Sequence, residues 1–235
     1  MRYYQNILKN GLKFFLSSVL VIICYTSNGQ QKISIGLHAD PVISWFGTDI
    51  EAVRNNGARA GFSFGLNINR SFTPNYSFST GINLTSAGGR LNGKDTTVLE
   101  LSNEGEKLVT VKPNESIIYK IQYLSVPLGL KLKTNQIGYL TFFSDAGIDP
   151  KIVVGGKVEI PSLGISGEKA MHEMRTFNLG YHIIAGIEYG IGGNTAFLFG
   201  LGFENNFLDV TRENGDQPKD IITHKLLSFR FGIVF

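Results

Sequence analysis

The sequence predicts an all-β fold: an eight-stranded antiparallel up-and-down transmembrane β-barrel, preceded by a cleaved signal peptide. Three observations predict it. Eight separate runs alternate apolar and polar residues with a period of two, the pattern of strands with one greasy face. The connections between runs alternate short and long, as expected when both termini lie on one side of a membrane. The last run puts Leu227, Phe229, Phe231, Ile233 and Phe235 on one face, with Ser228, Arg230 and Gly232 between them, and stops on the aromatic. A soluble edge strand with such a face would invite aggregation. A strand that closes a barrel in lipid has no free edge.

Residues 1–30 carry Arg2, Lys9 and Lys13, then the apolar run 14–25, then a polar exit of small residues, which is the layout of a secretory signal peptide. The apolar run is shorter than the roughly 20 residues a spanning helix needs. Cys24 is the only cysteine and follows two large residues, Ile22 and Ile23, which disfavours lipidation. Residues 31–235 are then the barrel domain, without a thiol or a disulfide. Three of the 22 bases and none of the 19 acids fall in the leader, so the rest of the chain is formally neutral. That argues against nucleic acid as a partner. The charged content of 17% lies below the ~25% of soluble domains, while 28 glycines and 17 phenylalanines suit strands and turns.

The runs, in order, cover residues 32–47, 59–72, 76–88, 117–133, 140–154, 177–191, 195–210 and 226–235. In the first, Ile33, Ile35, Leu37, Ala39, Ile43 and Trp45 oppose Ser34, Gly36, His38, Asp40 and Ser44. The second opposes Phe62, Phe64, Leu66 and Ile68 to Ser63, Gly65, Asn67 and Asn69. In the third, Tyr76, Phe78, Ile82 and Leu84 oppose Ser77, Ser79, Gly81 and Asn83. The fourth starts with Ile117, Tyr119, Ile121 and Tyr123 on odd positions but continues with Leu124, Val126, Leu128, Leu130 and Leu132 on even ones, so keeping both sets on one face requires a bulge near Tyr123-Leu124. In the fifth, Phe142, Ala146, Ile148 and Ile152 oppose Asp145, Gly147, Asp149 and Lys151. The sixth opposes Tyr181, Ile183 and Ile187 to His182, Gly186 and Glu188, and the seventh opposes Phe197, Phe199, Leu201 and Phe203 to Gly200, Gly202 and Glu204.

Segments 72–75, 134–138 and 192–194 are tight turns, whereas 48–58, 90–116, 155–176 and 211–224 are long and polar, which predicts short periplasmic turns and long extracellular loops. A soluble barrel with an apolar interior would show the same alternation. Its solvated face, however, would be rich in Lys, Glu and Thr, and here the polar face is Gly, Ser and Asn, which suit a narrow lumen. Aromatics at the ends of the apolar face predict girdles: Tyr76, Tyr189 and Phe235 on the short-turn side, Trp45, Tyr119, Phe177 and Phe207 on the loop side.

The terminal run resembles the last strand of bacterial outer-membrane β-barrels, which alternates in this way and ends on Phe. That resemblance implies residence in the cell outer membrane, among its lipids, and makes Phe229, Phe231, Ile233 and Phe235 the signal read by the barrel-assembly machinery. Further back, Tyr123-Leu124-Ser125-Val126-Pro127-Leu128-Gly129-Leu130-Lys131 is similar to the Tyr-Leu-x-Ile-Pro-Leu-x-x-Lys stretch of the PorT-like outer-membrane barrels common in Bacteroidetes. With the leader, the strands and the terminal Phe, the likeness covers the whole chain after the leader. It implies architecture and location, with envelope or secretion-system proteins as further partners. Members often have an acid where Ser125 stands, so a lumen salt bridge usual there is expected to be missing.

The polar face gathers His38, Asp40, Asp145, Asp149, His182, Glu188 and Glu204 with Lys32, Lys120, Lys131, Lys151 and Arg230. A metal site or an acid–base pair could be built from these types, but a narrow lumen needs charges that satisfy one another, and a neutralising network is the reading adopted. No cofactor is expected. His172 and His224 fall in long segments without a Ser-Asp arrangement of the barrel-enzyme kind, and are read as mobile loop residues. Gly200-Leu-Gly202 lacks the third glycine of a dinucleotide loop, Asn205 standing there. The acidic tract 100–106 reads as solvated surface, with a divalent-cation or lipopolysaccharide contact as the alternative. A structural or binding barrel is therefore the first expectation and an assembly or transport component of a PorT-type secretion pathway the alternative. A porin ranks below both, because eight strands enclose space that side chains fill, and an enzyme ranks last.

Overall fold

The computed structural model describes residues 33–49, 52–102, 106–212 and 221–235. The signal-peptide expectation and Lys32 lie outside the described residues. Among the described residues thirteen strands form: β1 (Ile33–Thr48), β2 (Val53–Asn55), β3 (Arg59–Ser71), β4 (Tyr76–Gly93), β5 (Thr97–Ser102), β6 (Glu106–Val111), β7 (Ser116–Ser125), β8 (Leu128–Lys133), β9 (Leu140–Ile160), β10 (Ile165–Lys169), β11 (Phe177–Gly192), β12 (Thr195–Asn206) and β13 (Ile222–Val234). The ring closes through eight walls, each antiparallel to the next: β1, β3, β4, the pair β7–β8, β9, β11, β12 and β13, which returns to β1. The eight predicted runs are these eight walls. The remaining strands lie beyond the ring on the long-connection side: β2 pairs with β4, β10 with β9, and β5 with β6 as a separate hairpin.

The seam is regular. Gly36 pairs with Val234 and Thr48 with Ile222, and Ile35 and Phe235 exchange both backbone hydrogen bonds, at 3.2 and 2.8 Å. Odd positions of β1 and β13 face outward and even ones inward, so Leu37, Phe229 and Phe231 meet lipid while His38 and Arg230 are buried. Phe235, also outward, ends the wall with half its surface exposed.

The fourth wall departs from expectation. Its register to β4 runs without a shift from Asn92↔Ser116 to Tyr76↔Leu132, across the two residues between β7 and β8, where Pro127 has no N–H to give the ladder. There is no bulge at Tyr123-Leu124. Odd residues face inward throughout, so Ile117, Tyr119, Ile121 and Tyr123 are buried in the interior while Leu124, Val126, Leu128, Leu130 and Leu132 are exposed on the lipid face. The change of apolar parity marks a change in what fills the interior. The bulge in this region sits on the neighbouring wall, where Gln122 pairs with Gly155 and Tyr123 with Val153, so β9 holds the extra residue.

Above that level the bore is a hydrophobic core. Phe46, Leu91, Ile121, Tyr123, Val158 and Ile160 from the walls pack with Leu99, Leu101, Val109 and Val111 of the β5–β6 hairpin and with Met174, Val210 and Ile222. The described parts of segments 90–116 and 155–176, expected as polar loops, are thus largely strands and turns folded over the mouth as a cap. Each buried apolar side chain there is worth roughly 1.5–3 kcal/mol, because this end lies outside the hydrocarbon and its alternative is water. Asp209 holds the two described ends of the last long connection: its Oδ1 accepts from the Thr211 and Ile222 amides at 3.2 and 3.1 Å.

Candidate functional site

Inward positions below the cap carry the polar set. Every charged residue predicted for the lumen and described here faces it, with two changes. Lys120 points outward and pairs with Glu159, because even positions of β7 face away from the bore. Lys133, absent from the prediction, joins the set through the same odd parity as Lys131, and that parity was the signal available for it.

Four clusters form. Arg230 Nε donates to Asp40 Oδ2 at 3.1 Å. His38 Nδ1 lies 2.8 Å from the same oxygen, at ion-pair distance but off the line of a hydrogen bond, and its Nε2 is 3.2 Å from Asn83 Oδ1. In the second cluster His182 stands between two carboxylates: Nδ1 is 2.9 and 3.0 Å from the oxygens of Asp149, and Nε2 is 3.5 Å from Asp145 Oδ1. The ring can donate to both only as an imidazolium. Lys151 pairs with Glu204 in the third, its ammonium 5.6 Å from the centre of the Tyr123 ring. Lys151 is level with Ser125, and the acid it pairs with stands on β12. In the fourth, Lys131 and Lys133 reach the two oxygens of Glu188 at 2.8 and 2.7 Å, and Lys131 Nζ sits 4.4 Å over the Phe143 ring.

Glycines make this packing fit. A Cβ on Gly65 would fall 2.1 Å from Asn83 Oδ1 and 2.2 Å from His38 Nε2, and one on Gly129 would fall 2.6 Å from Asp145 Oδ1. Only a bare backbone leaves room for the side chains opposite.

Among these clusters lies a cavity of about 40 Å³, bordered by Ser79, Asn83, Asp145, His182, Glu204 and Arg230. It has the size for a few waters at most. Below it, Phe143, Ile184, Leu198 and Val234 close the bore with a small apolar cluster. On the short-turn side a vestibule of about 640 Å³ opens, with Lys133 and Glu188 among its lining residues.

The remaining histidines are not both loop residues. His172 is exposed in the turn Met171–Glu173. His224 belongs to β13, is fully buried in the cap core, lies tilted with its ring centre 5.1 Å from that of Phe46 and 5.6 Å from that of Tyr123, and bonds the Gly88 carbonyl at 3.2 Å. Among the described residues no three His, Cys, Asp or Glu side chains are placed to hold a metal ion.

The lipid face carries the girdle on the short-turn side, where Tyr76, Tyr139, Tyr189 and Phe235 are exposed. On the other side Phe177 and Phe207 are exposed outward and Trp45 is partly so, but Tyr119 is buried inside the cap and leaves the girdle.

A family model for the outer membrane protein beta-barrel domain matches residues 27–233. The chain belongs to that family. Its place is therefore the cell outer membrane, and the exposed apolar face of the ring is its lipid contact. No curated protein matches the sequence. Among solved structures, this family member is similar to Neisserial surface protein A, at 11% identity over 87% of this chain and 98% of that one, with a TM-score of 0.45. It is also similar to the outer membrane protease OmpT from Escherichia coli, at 9% identity, 89% and 99% coverage and a TM-score of 0.45. OprG from Pseudomonas aeruginosa matches at 11% identity, 88% and 98% coverage and a TM-score of 0.43.

Proposed function

We propose that this outer-membrane barrel has a structural or binding role, presenting a folded cap at the cell surface over a bore that does not conduct. One observation carries the reading: the interior is occupied at successive levels, by the cap core, by the paired charges and by the Phe143 cluster. An unpaired ion in such a site would cost several kcal/mol, so the acids and bases are retained together. The partners this implies are outer-membrane lipids, the barrel-assembly machinery that recognises Phe229, Phe231, Ile233 and Phe235, and an external partner of the cap. Planar-bilayer recording of the purified protein tests it. Low or absent conductance is expected, and large, stable, reproducible channels would overturn it.

A second reading, a component of a PorT-type secretion pathway, is supported by the 123–131 stretch alone. In the structure that stretch is the junction of β7 and β8, with Tyr123, Ser125 and Lys131 inward and its leucines in lipid. Loss of protein export on deletion of the gene, with normal cell-surface binding, would favour it.

A further inference from the structure

On the cap side, the barrel's outer rim is built in two ways. Around β11, β12 and β1 it carries the aromatics Phe177, Tyr181, Phe207 and Trp45, with Tyr181 and Phe207 5.4 Å apart. Around β4, β7, β9 and β10 the wall rises higher and aromatics are replaced by bases. Lys120 pairs in register with Lys157, and Lys157 with Lys169, so three lysines on three adjacent strands form one cross-strand row. The next position in the row is Gly88, and the Arg59 guanidinium fills it, one nitrogen 3.3 Å from the Ala87 carbonyl and 3.4 Å from where a Gly88 Cβ would stand. Arg90 is exposed one step above.

Like charges directly opposite in a ladder repel, so the row is a cost to the sheet unless an anion lies across it. Glu159 serves Lys120 and lies close enough to Arg59 to interact with its charge. Lys157 and Lys169 are exposed and have no ion-pair partner among the described residues. Their height identifies the anion. Below the row, past the exposed amide of Gln122, the outward side chains are Leu124, Val126, Ile152 and Val154, all exposed and apolar, so the hydrocarbon ends near there and the bases stand at the level of the headgroups.

We infer that the row Arg59–Lys120–Lys157–Lys169 binds the phosphate groups of a phosphorylated lipid headgroup in the outer leaflet, fixing one side of the barrel to that lipid. Lysines act here as point charges that tolerate varied phosphate positions. The site lies on the outer wall and does not depend on the bore being closed.

The test uses the full barrel in phosphatidylcholine nanodiscs doped with lipid A, a diglucosamine lipid bearing two phosphates, or with the same lipid stripped of phosphate. Retention of lipid A through purification, at least tenfold above the stripped lipid and falling with added salt, is the expected result. The K157Q/K169Q double variant should lose most of that retention while keeping its heat-dependent gel mobility, and K157R/K169R should keep it. Equal retention of both lipids, or of lipid A by K157Q/K169Q, would overturn the inference. So would competition by millimolar inorganic pyrophosphate as effective as that by lipid A itself, since a free phosphate would then be the ligand.

Discussion

The same inward-facing wall positions hold two different interiors. At the cap end Phe46, Tyr119, Ile121 and Tyr123 form a dry core with the β5–β6 hairpin, and further down the walls Asp40, Asp145, His182 and Arg230 form a paired polar plug. The first gains from the hydrophobic effect, because its alternative environment is water. The second gains little net energy, but breaking it is costly, because each charge left behind is buried without a partner. Volume should therefore govern the upper interior and pairing the lower one.

The largest expected effect is at the top. Phe46, 1% exposed and packed on Tyr119, His224 and the bare backbone of Gly89, should cost about 4 kcal/mol when replaced by Ala. The readout is the denaturant midpoint of the unboiled gel form, together with new protease cleavage in segment 97–111. A loss below about 1 kcal/mol would mean that the cap is not a packed core. Next comes Arg230→Ala, which strands Asp40 and should cost about 3 kcal/mol. Adding Asp40→Asn should restore part of that loss, whereas no second substitution that removes charge should rescue Phe46→Ala. If Asp40→Asn worsens Arg230→Ala, pairing is not what holds the plug. Gly65→Ala should follow at about 2 kcal/mol, the cost of overpacking, since the new methyl must displace Asn83 and His38. A thermal midpoint equal to wild type would show that the wall has slack there. The smallest effect belongs to Lys133→Ala, under about 1 kcal/mol, because its side chain is partly exposed and Glu188 keeps Lys131. A loss matching that of Arg230→Ala would place the lower limit of the dry plug nearer the vestibule.

The comparison also explains what was legible in the residues. Period-two alternation locates walls, and the eight walls, their order and the length pattern of their connections follow from it. Alternation does not say which face is inside; polarity decides. That works where the interior is polar, which is why Asp145, Asp149, Lys151 and Glu204 are placed as the sequence suggests. It fails where the interior is apolar too, so polarity alone assigns Ile117, Tyr119, Ile121 and Tyr123 to lipid, with a bulge, and Lys120 to the lumen. Leu99-Glu100-Leu101 and Val109-Thr110-Val111 do alternate, and the cap hairpin could have been found in them, but an acidic tract between them resembled solvated loop. His224 was beyond reach, because its burial depends on Phe46 and Tyr123, which come together only when the ring closes.

The pair Arg230–Asp40 spans the seam, its partners 190 residues apart along the chain. Bringing chain ends together over that length carries an entropic cost that grows as the logarithm of the separation, about 5 kcal/mol for the length-dependent part. No partial hairpin can supply this contact ahead of time, since β1 and β13 are the first and last walls of the ring. In folding time, then, this ion pair is a late event, formed when the first and last walls of the ring meet. A donor–acceptor dye pair placed beside Asp40 and Arg230 would act as a clock for ring closure, recording the moment at which a curved sheet becomes a barrel.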